Sequence, residues 1–95
     1  MRISQAQISQ IKHIIHEAFG NNVDVWLFGS RLDDHKKGGD IDLYVEPKDS
    51  NWFDAKIKVV RQLEMLFPYP VDVVVKEDGK NLAIYQIAKS QGVKL

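Results

Sequence analysis

Hydrophobic residues recur at two spacings along the chain, and the change of spacing separates helices from strands. Ile8, Ile11 and Ile15 follow the helical period of three or four residues. Ser4 stands before them, and a glutamine three residues later gives the spacing of a capping box. We therefore predict a first helix that begins after Ser4 and ends at Gly20, since glycine favours the position after a helix.

The rest of the chain alternates strands and helices. Segments rich in β-branched residues predict strands at 23–28, 40–45 and 71–75, with a short last strand at 93–95. Helices are predicted at about 51–67, after a turn at 46–50 that supplies an N-cap, and at about 81–90. The order α-β-β-α-β-α-β predicts an α+β fold, a small mixed sheet with helices packed on one face.

The second predicted helix carries an apolar stripe at Phe53, Ile57 and Val60. Residues at this spacing lie on one side of a helix, and such a side usually faces the interior. We predict that this stripe belongs to the core, as does the isoleucine stripe of the first helix.

Composition narrows the class of protein. The 95 residues favour a single domain over 1–95. Thirteen basic and thirteen acidic residues give a net charge of +0, which argues against stable nucleic-acid binding. The lack of cysteine excludes disulfides, zinc–thiolate sites and thiol catalysis. No apolar run of membrane-spanning length and no signal peptide is evident, so we expect a cytoplasmic protein without a membrane partner.

Three aspartates are the strongest candidates for chemistry. Asp40 and Asp42 are two residues apart on a predicted strand, so both side chains leave the same face. Asp72 lies among valines in the third strand, and we expect it to point to that same open face. Carboxylates that meet in this way repel one another, and Mg²⁺ or Mn²⁺ would offset the repulsion. The alternatives are a solvated polar strand face and, for Asp72, an ordinary edge-strand carboxylate.

A small-residue bend supplies a complementary feature. Gly29 and Ser30 end the first strand, where glycine lets the backbone approach a phosphate and serine caps a short helix. Arg31 follows and can reach terminal phosphates, or it forms a surface ion pair. Together with the aspartates, this bend predicts a site for a nucleoside triphosphate whose phosphates are bridged by metal ions.

The same residues carry a family resemblance. The stretch 28–31 (Phe-Gly-Ser-Arg), the loop to Gly39 and then 40–43 (Asp-Ile-Asp-Leu) resemble the signature of the polymerase-beta-type nucleotidyltransferase superfamily. The short length and the later stretch 71–74 (Val-Asp-Val-Val) are similar to the minimal nucleotidyltransferase family. The resemblance implies a polymerase-beta-like core.

The resemblance also implies roles for these residues. Asp40 and Asp42 would bind two Mg²⁺ ions, and Asp72 would bind the catalytic metal and help activate an acceptor hydroxyl. Gly29 and Ser30 would hold the triphosphate of ATP. The hydroxyl would attack the α-phosphate in line and release pyrophosphate.

For a partner, the resemblance implies the antitoxin half of a toxin–antitoxin pair. Such proteins accompany a helical HEPN-type toxin, and AMP would be transferred from ATP to a tyrosine of that protein. One alternative is a catalytically weak nucleotide-binding module that neutralises or stabilises a helical partner by direct binding. Another is transfer to a small molecule or an RNA end, which the neutral charge disfavours.

Part of the substrate site is expected to come from outside this chain. Larger relatives carry extra domains that bind base and acceptor, and we expect 95 residues to leave no room for them. A partner or another copy of the chain would then supply the missing wall. The candidate contact residues are aromatic: Trp26, Phe28, Trp52, Phe67 and Tyr69. For Trp26 and Phe28, core packing is an equal alternative.

Overall fold

A computed structural model describes residues 3–29, 40–48 and 51–95, which form three helices and four strands. The elements are α1 (Gln5–Phe19), β1 (Asp24–Phe28), β2 (Ile41–Glu46), α2 (Phe53–Leu66), β3 (Val71–Val75), α3 (Ala83–Gln91) and β4 (Val93–Lys94). The predicted order is confirmed, with ends that differ by one or two residues. Within these ranges no helix is both long and apolar enough to cross a membrane.

The helix starts show where local sequence signals hold and where they fail. At α1 the predicted capping box is present: the Ser4 hydroxyl accepts from the Gln7 N–H at 3.1 Å, and the Gln7 side chain accepts from the Ser4 N–H at 2.9 Å. The predicted cap of α2 by the turn at 46–50 is wrong. The N-cap of α2 is Trp52, which makes no capping bond through its side chain.

The four strands form one mixed sheet in the order β3-β2-β1-β4. β1 pairs antiparallel with β2 and β4, whereas β2 and β3 are parallel. The end of β1 and the starts of β2 and β3 therefore lie at the same end of the sheet, where Phe28 pairs with Asp42 and Asp42 with Asp72. We call this the Asp42 end.

One face of the sheet, which we call the dry face, packs against α1 and α2. Its strand residues are aliphatic and include Leu27, Leu43 and Val73, each no more than 1% exposed. Ile11 and Ile15 of α1 and Val59 and Leu63 of α2 complete this main core. The isoleucine stripe of the first helix is thus in the core, as predicted.

The other face, which we call the active face, is partly covered by α3. Trp26 and Tyr44 on the sheet pack against Tyr85 and Ala88 of α3 and form a second cluster. The α+β fold with a mixed sheet is confirmed, but the expectation that all helices pack on one face is not. The reason is that the strands carry large apolar side chains on both faces, so the second face also needs a cover.

The predicted core stripe of α2 is also wrong. Phe53 is 62% exposed and Ile57 is 44% exposed, whereas Val59 and Leu63 are fully buried. Val60 lies between the two sets and is half-buried. The helix is apolar on two neighbouring sides that meet at Val60, and helical periodicity alone does not determine which side meets the sheet.

Candidate active site

The strand register brings two of the predicted aspartates side by side. Asp42 on β2 and Asp72 on β3 are direct partners in the parallel pairing. Neighbouring strands lie roughly 4.8 Å apart, and paired residues project to the same face. Asp40 precedes β2, is exposed, and acts electrostatically on Asp42. The Asp42 end of the active face therefore presents three carboxylates.

The charge of Asp42 is disfavoured by its surroundings. Burial raises the pKa of the Asp42 carboxyl above its usual range, and the nearby Asp72 and Asp40 raise it further. Burial acts by removing water, and the two neighbours act by like-charge repulsion. A cation at this position would offset both effects.

Gly29 lies against the same carboxylate. Its φ of +87° is a conformation that glycine adopts readily and other residues rarely do. A Cβ at this position would overlap the Oδ2 atom of Asp42. The bend therefore requires glycine for two reasons, its backbone conformation and the space that the carboxylate occupies.

An aromatic stack anchors the part of the active face that lies beyond the carboxylates. The rings of Trp26 and Tyr44 are 5.4 Å apart, as are those of Tyr44 and Tyr85. The Tyr44 hydroxyl donates a 2.8 Å hydrogen bond to Glu46. Burial and this bond raise the pKa of Tyr44 well above its ordinary value, so its hydroxyl stays protonated.

Three half-buried aliphatic and aromatic residues border this stack. They are Phe28, which pairs with Asp42, then Val74, two residues after Asp72, and Ile84 of α3. They make the floor next to the carboxylates apolar. Sequence reasoning missed Tyr44, Tyr85 and Ile84, although the spacing of Ile84, Tyr85 and Ala88 is the signal of a helix face that packs on a sheet.

The other predicted site residues have different outcomes. Ser30 and Arg31 lie outside the described residues. Of the aromatic residues proposed for a partner surface, Trp26 is 8% exposed and Phe67 is 6% exposed, so both belong to the interior. Trp52 and Tyr69 are half-buried and pack against the main core.

The donor set of this site fits a divalent cation by its chemistry. Carboxylate oxygens are the ligands that Mg²⁺ and Mn²⁺ prefer, and these ions typically take one or two carboxylates together with substrate phosphates. Within the three described ranges, no group of three acidic or histidine side chains is positioned to hold a metal ion. Pairs such as Asp42 with Asp72 remain the candidate ligands, with phosphate oxygens as the complement.

Comparison with known proteins agrees with this arrangement. The family model described as "Polymerase beta, Nucleotidyltransferase" matches residues 9–93, which includes every element from within α1 to β4. A search of curated proteins finds no match to the chain. The match spans both strands that carry the carboxylates as well as the Gly29 bend.

Proposed function

The chain belongs to the polymerase beta nucleotidyltransferase family, and from this premise we propose that it transfers AMP from Mg-ATP to a hydroxyl of a partner protein. The observation that carries the proposal is the placement of Asp42 beside Asp72, with Asp40 close by, opposite the Gly29 bend. Nucleotidyl transfer itself follows from the family. The nucleotide, the acceptor and the metal requirement are what we propose.

The carboxylates are proposed to hold two Mg²⁺ ions, for which Mn²⁺ can substitute. Asp40 and Asp42 would hold the ions that also contact the triphosphate, and Asp72 would help to hold the ion nearest the acceptor. Bound Mg²⁺ would neutralise phosphate charge and lower the pKa of the attacking hydroxyl. The raised pKa of Asp42 supports this assignment, because a cation would restore the charged form.

The bend is proposed to receive the phosphates. At Gly29 the backbone turns with a positive φ and carries no side chain, so a phosphate oxygen can approach the main chain closely. Ser30 and Arg31, which follow in the sequence, are proposed from the family resemblance to contact the triphosphate. A hydroxyl and a guanidinium are both strong donors to phosphate oxygens.

The proposed reaction is a displacement at the α-phosphorus of ATP. The acceptor hydroxyl oxygen bonds to the α-phosphorus, the bond from that phosphorus to the bridging oxygen breaks, and pyrophosphate leaves. The proton of the hydroxyl passes toward Asp72, which is exposed and stands beside Asp42. The protein's contribution is to position both reactants and to concentrate negative ligands where the metal charge is needed.

The acceptor is proposed to be a tyrosine of a helical HEPN-type protein, with this chain as the antitoxin of the pair. The site supports a protein acceptor because Gly29, Asp40 and Asp72 are all exposed on the active face. A neighbouring protein can therefore reach the carboxylates directly. The net charge of +0 gives no comparable support for an RNA acceptor.

Labelled ATP tests this function. The chain, Mg²⁺ and the protein encoded beside it are incubated with ATP labelled on either the α- or the γ-phosphate. We expect α-label on a tyrosine of the partner, no γ-label, and loss of labelling with Asp40→Asn/Asp42→Asn. Asp78→Asn, an exposed carboxylate in the turn before α3, is the control and should label normally. Equal labelling by wild type and the double variant would overturn the proposal.

The second candidate is a binding module that neutralises a helical partner without catalysis. It is favoured by one observation: Gly29, Asp40 and Asp72 are exposed, so a helical partner can cover this surface by direct binding. Under this alternative, the folded Asp40→Asn/Asp42→Asn variant should still suppress the partner's activity. If this variant loses both labelling and suppression of the partner, the result supports the catalytic function and contradicts the binding module.

A further inference from the structure

Exposed apolar side chains concentrate on α2, in its first two turns and at its C-terminal end. Phe53, Ile57, Met65 and Leu66 are 62%, 44%, 81% and 51% exposed. Neighbouring exposed apolar residues, such as Phe53 and Ile57 one helical turn apart, mark an interaction surface more often than scattered single residues do. This surface belongs neither to the main core nor to the candidate active site.

Four residues of α2 form a regular seam. Phe53, Ile57, Val60 and Glu64, which we call the α2 seam, are spaced by four, three and four residues. This is the spacing of the a and d positions through which two helices pack side by side. A surface groove of about 340 Å³ is lined by three seam residues, Ile57, Val60 and Glu64, and also by Lys56 and Arg61. Val60 is half-buried and also packs against the main core.

The charges beside the seam favour one orientation of a second helix. With Ile57 at position a, Asp54 and Arg61 take e positions and Lys56 takes a g position. An antiparallel copy of α2 would place Asp54 against Arg61 of the second copy, twice. A parallel copy would instead place Lys56 against Arg61, two like charges.

These charged groups are available for such pairing. Among the described residues, the side chains of Asp54, Lys56 and Arg61 take part in no ion pair or hydrogen bond. The seam therefore combines apolar residues with unpaired charges whose signs complement those of an inverted copy.

We propose that the α2 seam is the interface of a homodimer in which two copies of α2 pack antiparallel about a two-fold axis. Ile57 packs against Val60 of the second copy, and the exposed Phe53 ring enters the groove beside Val60 and Glu64 of that copy. Such an interface is isologous: each contact occurs twice, and the assembly closes at two chains.

The dimer leaves both candidate active sites accessible. α2 packs on the dry face of the sheet, whereas Asp42 and Asp72 project from the active face. The two active faces would therefore point away from the interface. The proposal does not rest on the proposed function, and a partner that reaches the carboxylates would not compete with the second copy.

The interface is expected to be weak because it is small. The seam spans twelve residues, about 18 Å of helix. Interfaces below about 1,200 Å² belong to weak or transient complexes. We therefore expect dissociation in the range of about 1 μM to 1 mM, which sedimentation over that concentration range resolves.

The first test compares two matched substitutions. Ile57→Glu changes a seam residue that is 44% exposed, and Ile87→Glu changes a residue of α3 that is 43% exposed. We expect the wild type and Ile87→Glu to shift from 10.9 kDa to twice that mass with concentration, and Ile57→Glu to stay at 10.9 kDa. Circular dichroism verifies that each variant is folded.

The second test addresses orientation. Asp54→Arg gives a chain with two arginines at the e positions, and Arg61→Asp gives a chain with two aspartates. Each alone should weaken its own dimer at least tenfold, whereas an equal mixture should form a heterodimer as tight as the wild type. Both positions are exposed, so neither change should affect folding.

Three results would overturn the proposal. One is a wild type that stays monomeric up to about 1 mM. If Ile57→Glu then weakened binding to a helical partner, the seam would be the binding surface for that partner and not for a second copy. Another is a dimer lost with Ile87→Glu but retained with Ile57→Glu. The third is a mixture of the charge variants that fails to associate, which would exclude the antiparallel arrangement.

Discussion

The same strands build both faces of the sheet, but the two faces have different roles. On the dry face, alternate residues such as Leu27, Leu43 and Val73 are covered by α1 and α2 and exclude water. On the active face, the residues between them change from an aromatic stack at Tyr44 to carboxylates at Asp42 and Asp72. One face therefore provides the stability that the other partly loses to like-charge repulsion.

This difference shows how a small domain accommodates an unfavourable site. Fully burying a Leu or Val side chain contributes about 1.5–3 kcal/mol, and the dry face contains many such residues. The carboxylates lie at the Asp42 end, where α3 does not cover Asp40 or Asp72. Substitutions on either face should reveal this division, and the expected effects follow from largest to smallest.

The largest effect is expected on the dry face. Leu43→Ala at the fully buried centre of β2 should reduce the free energy of unfolding by about 2–5 kcal/mol, since it removes apolar contacts and leaves a cavity. Urea unfolding followed by circular dichroism measures this loss. Met65→Ala, at an 81% exposed residue, should change the stability by no more than about 0.5 kcal/mol. Similar losses for both variants would contradict the assignment of the core.

The next effect is expected where the bend meets the carboxylates. Gly29→Ala should cost about 1–3 kcal/mol from its positive φ, together with the overlap with Asp42, and should abolish nucleotidyl transfer. Gly79→Ala has a similar φ of +79° but open space around the new Cβ. It should lose stability from strain alone and keep full activity. Equal activity of the two variants would show that the contact of Gly29 with Asp42 does not matter.

A smaller effect is expected in the aromatic stack. Tyr44→Phe keeps the ring contacts with Trp26 and Tyr85 but removes the hydrogen bond to Glu46. The free energy of unfolding should fall by about 1 kcal/mol, because Glu46 keeps its ion pair with Lys89 at 3.3 Å. Thermal unfolding measures this difference. A loss as large as that of Leu43→Ala would show that the hydroxyl organises the whole active face.

The smallest expected effect is a gain in stability rather than a loss. Asp42 has a raised pKa in the folded state, so the folded protein binds more protons than the unfolded one between pH 3.8 and the folded pKa. Wild-type stability from this group is therefore lost as the pH rises through that window. Asp42→Asn has no such loss and should melt at a higher temperature than the wild type at pH 7, with a smaller difference near pH 4. Melting curves recorded with a chelator test this, and a lower melting temperature for the variant at pH 7 would contradict it.

The sequence predicted those features that depend on neighbours along the chain. The capping box at Ser4 and the buried Ile11 and Ile15 of α1 follow from spacing alone. The shared face of Asp40 and Asp42 was likewise predicted from strand alternation. Asp40 precedes β2, and its charge acts on Asp42.

Features that depend on packing could not be predicted in the same way. The adjacency of Asp42 and Asp72 depends on the parallel register of β2 and β3. These two strands are separated in the sequence by α2, so spacing along the chain does not determine their register. To predict the exposed side of α2 and the location of α3 on the active face, one must know which of two apolar surfaces is covered by which element. Spacing gives the surfaces of an element but not their partners.

The parallel pairing of β2 with β3 also gives Asp72 a part in folding. If β3 shifted by one residue, every side chain on it would change faces, and Asp72 would enter the aliphatic layer on the dry face. An uncompensated carboxylate there would cost several kcal/mol, roughly the stability of a small domain. The residue that is costly in the correct alignment is thus far more costly in the incorrect one, so the acid proposed for catalysis also protects the chain against misalignment.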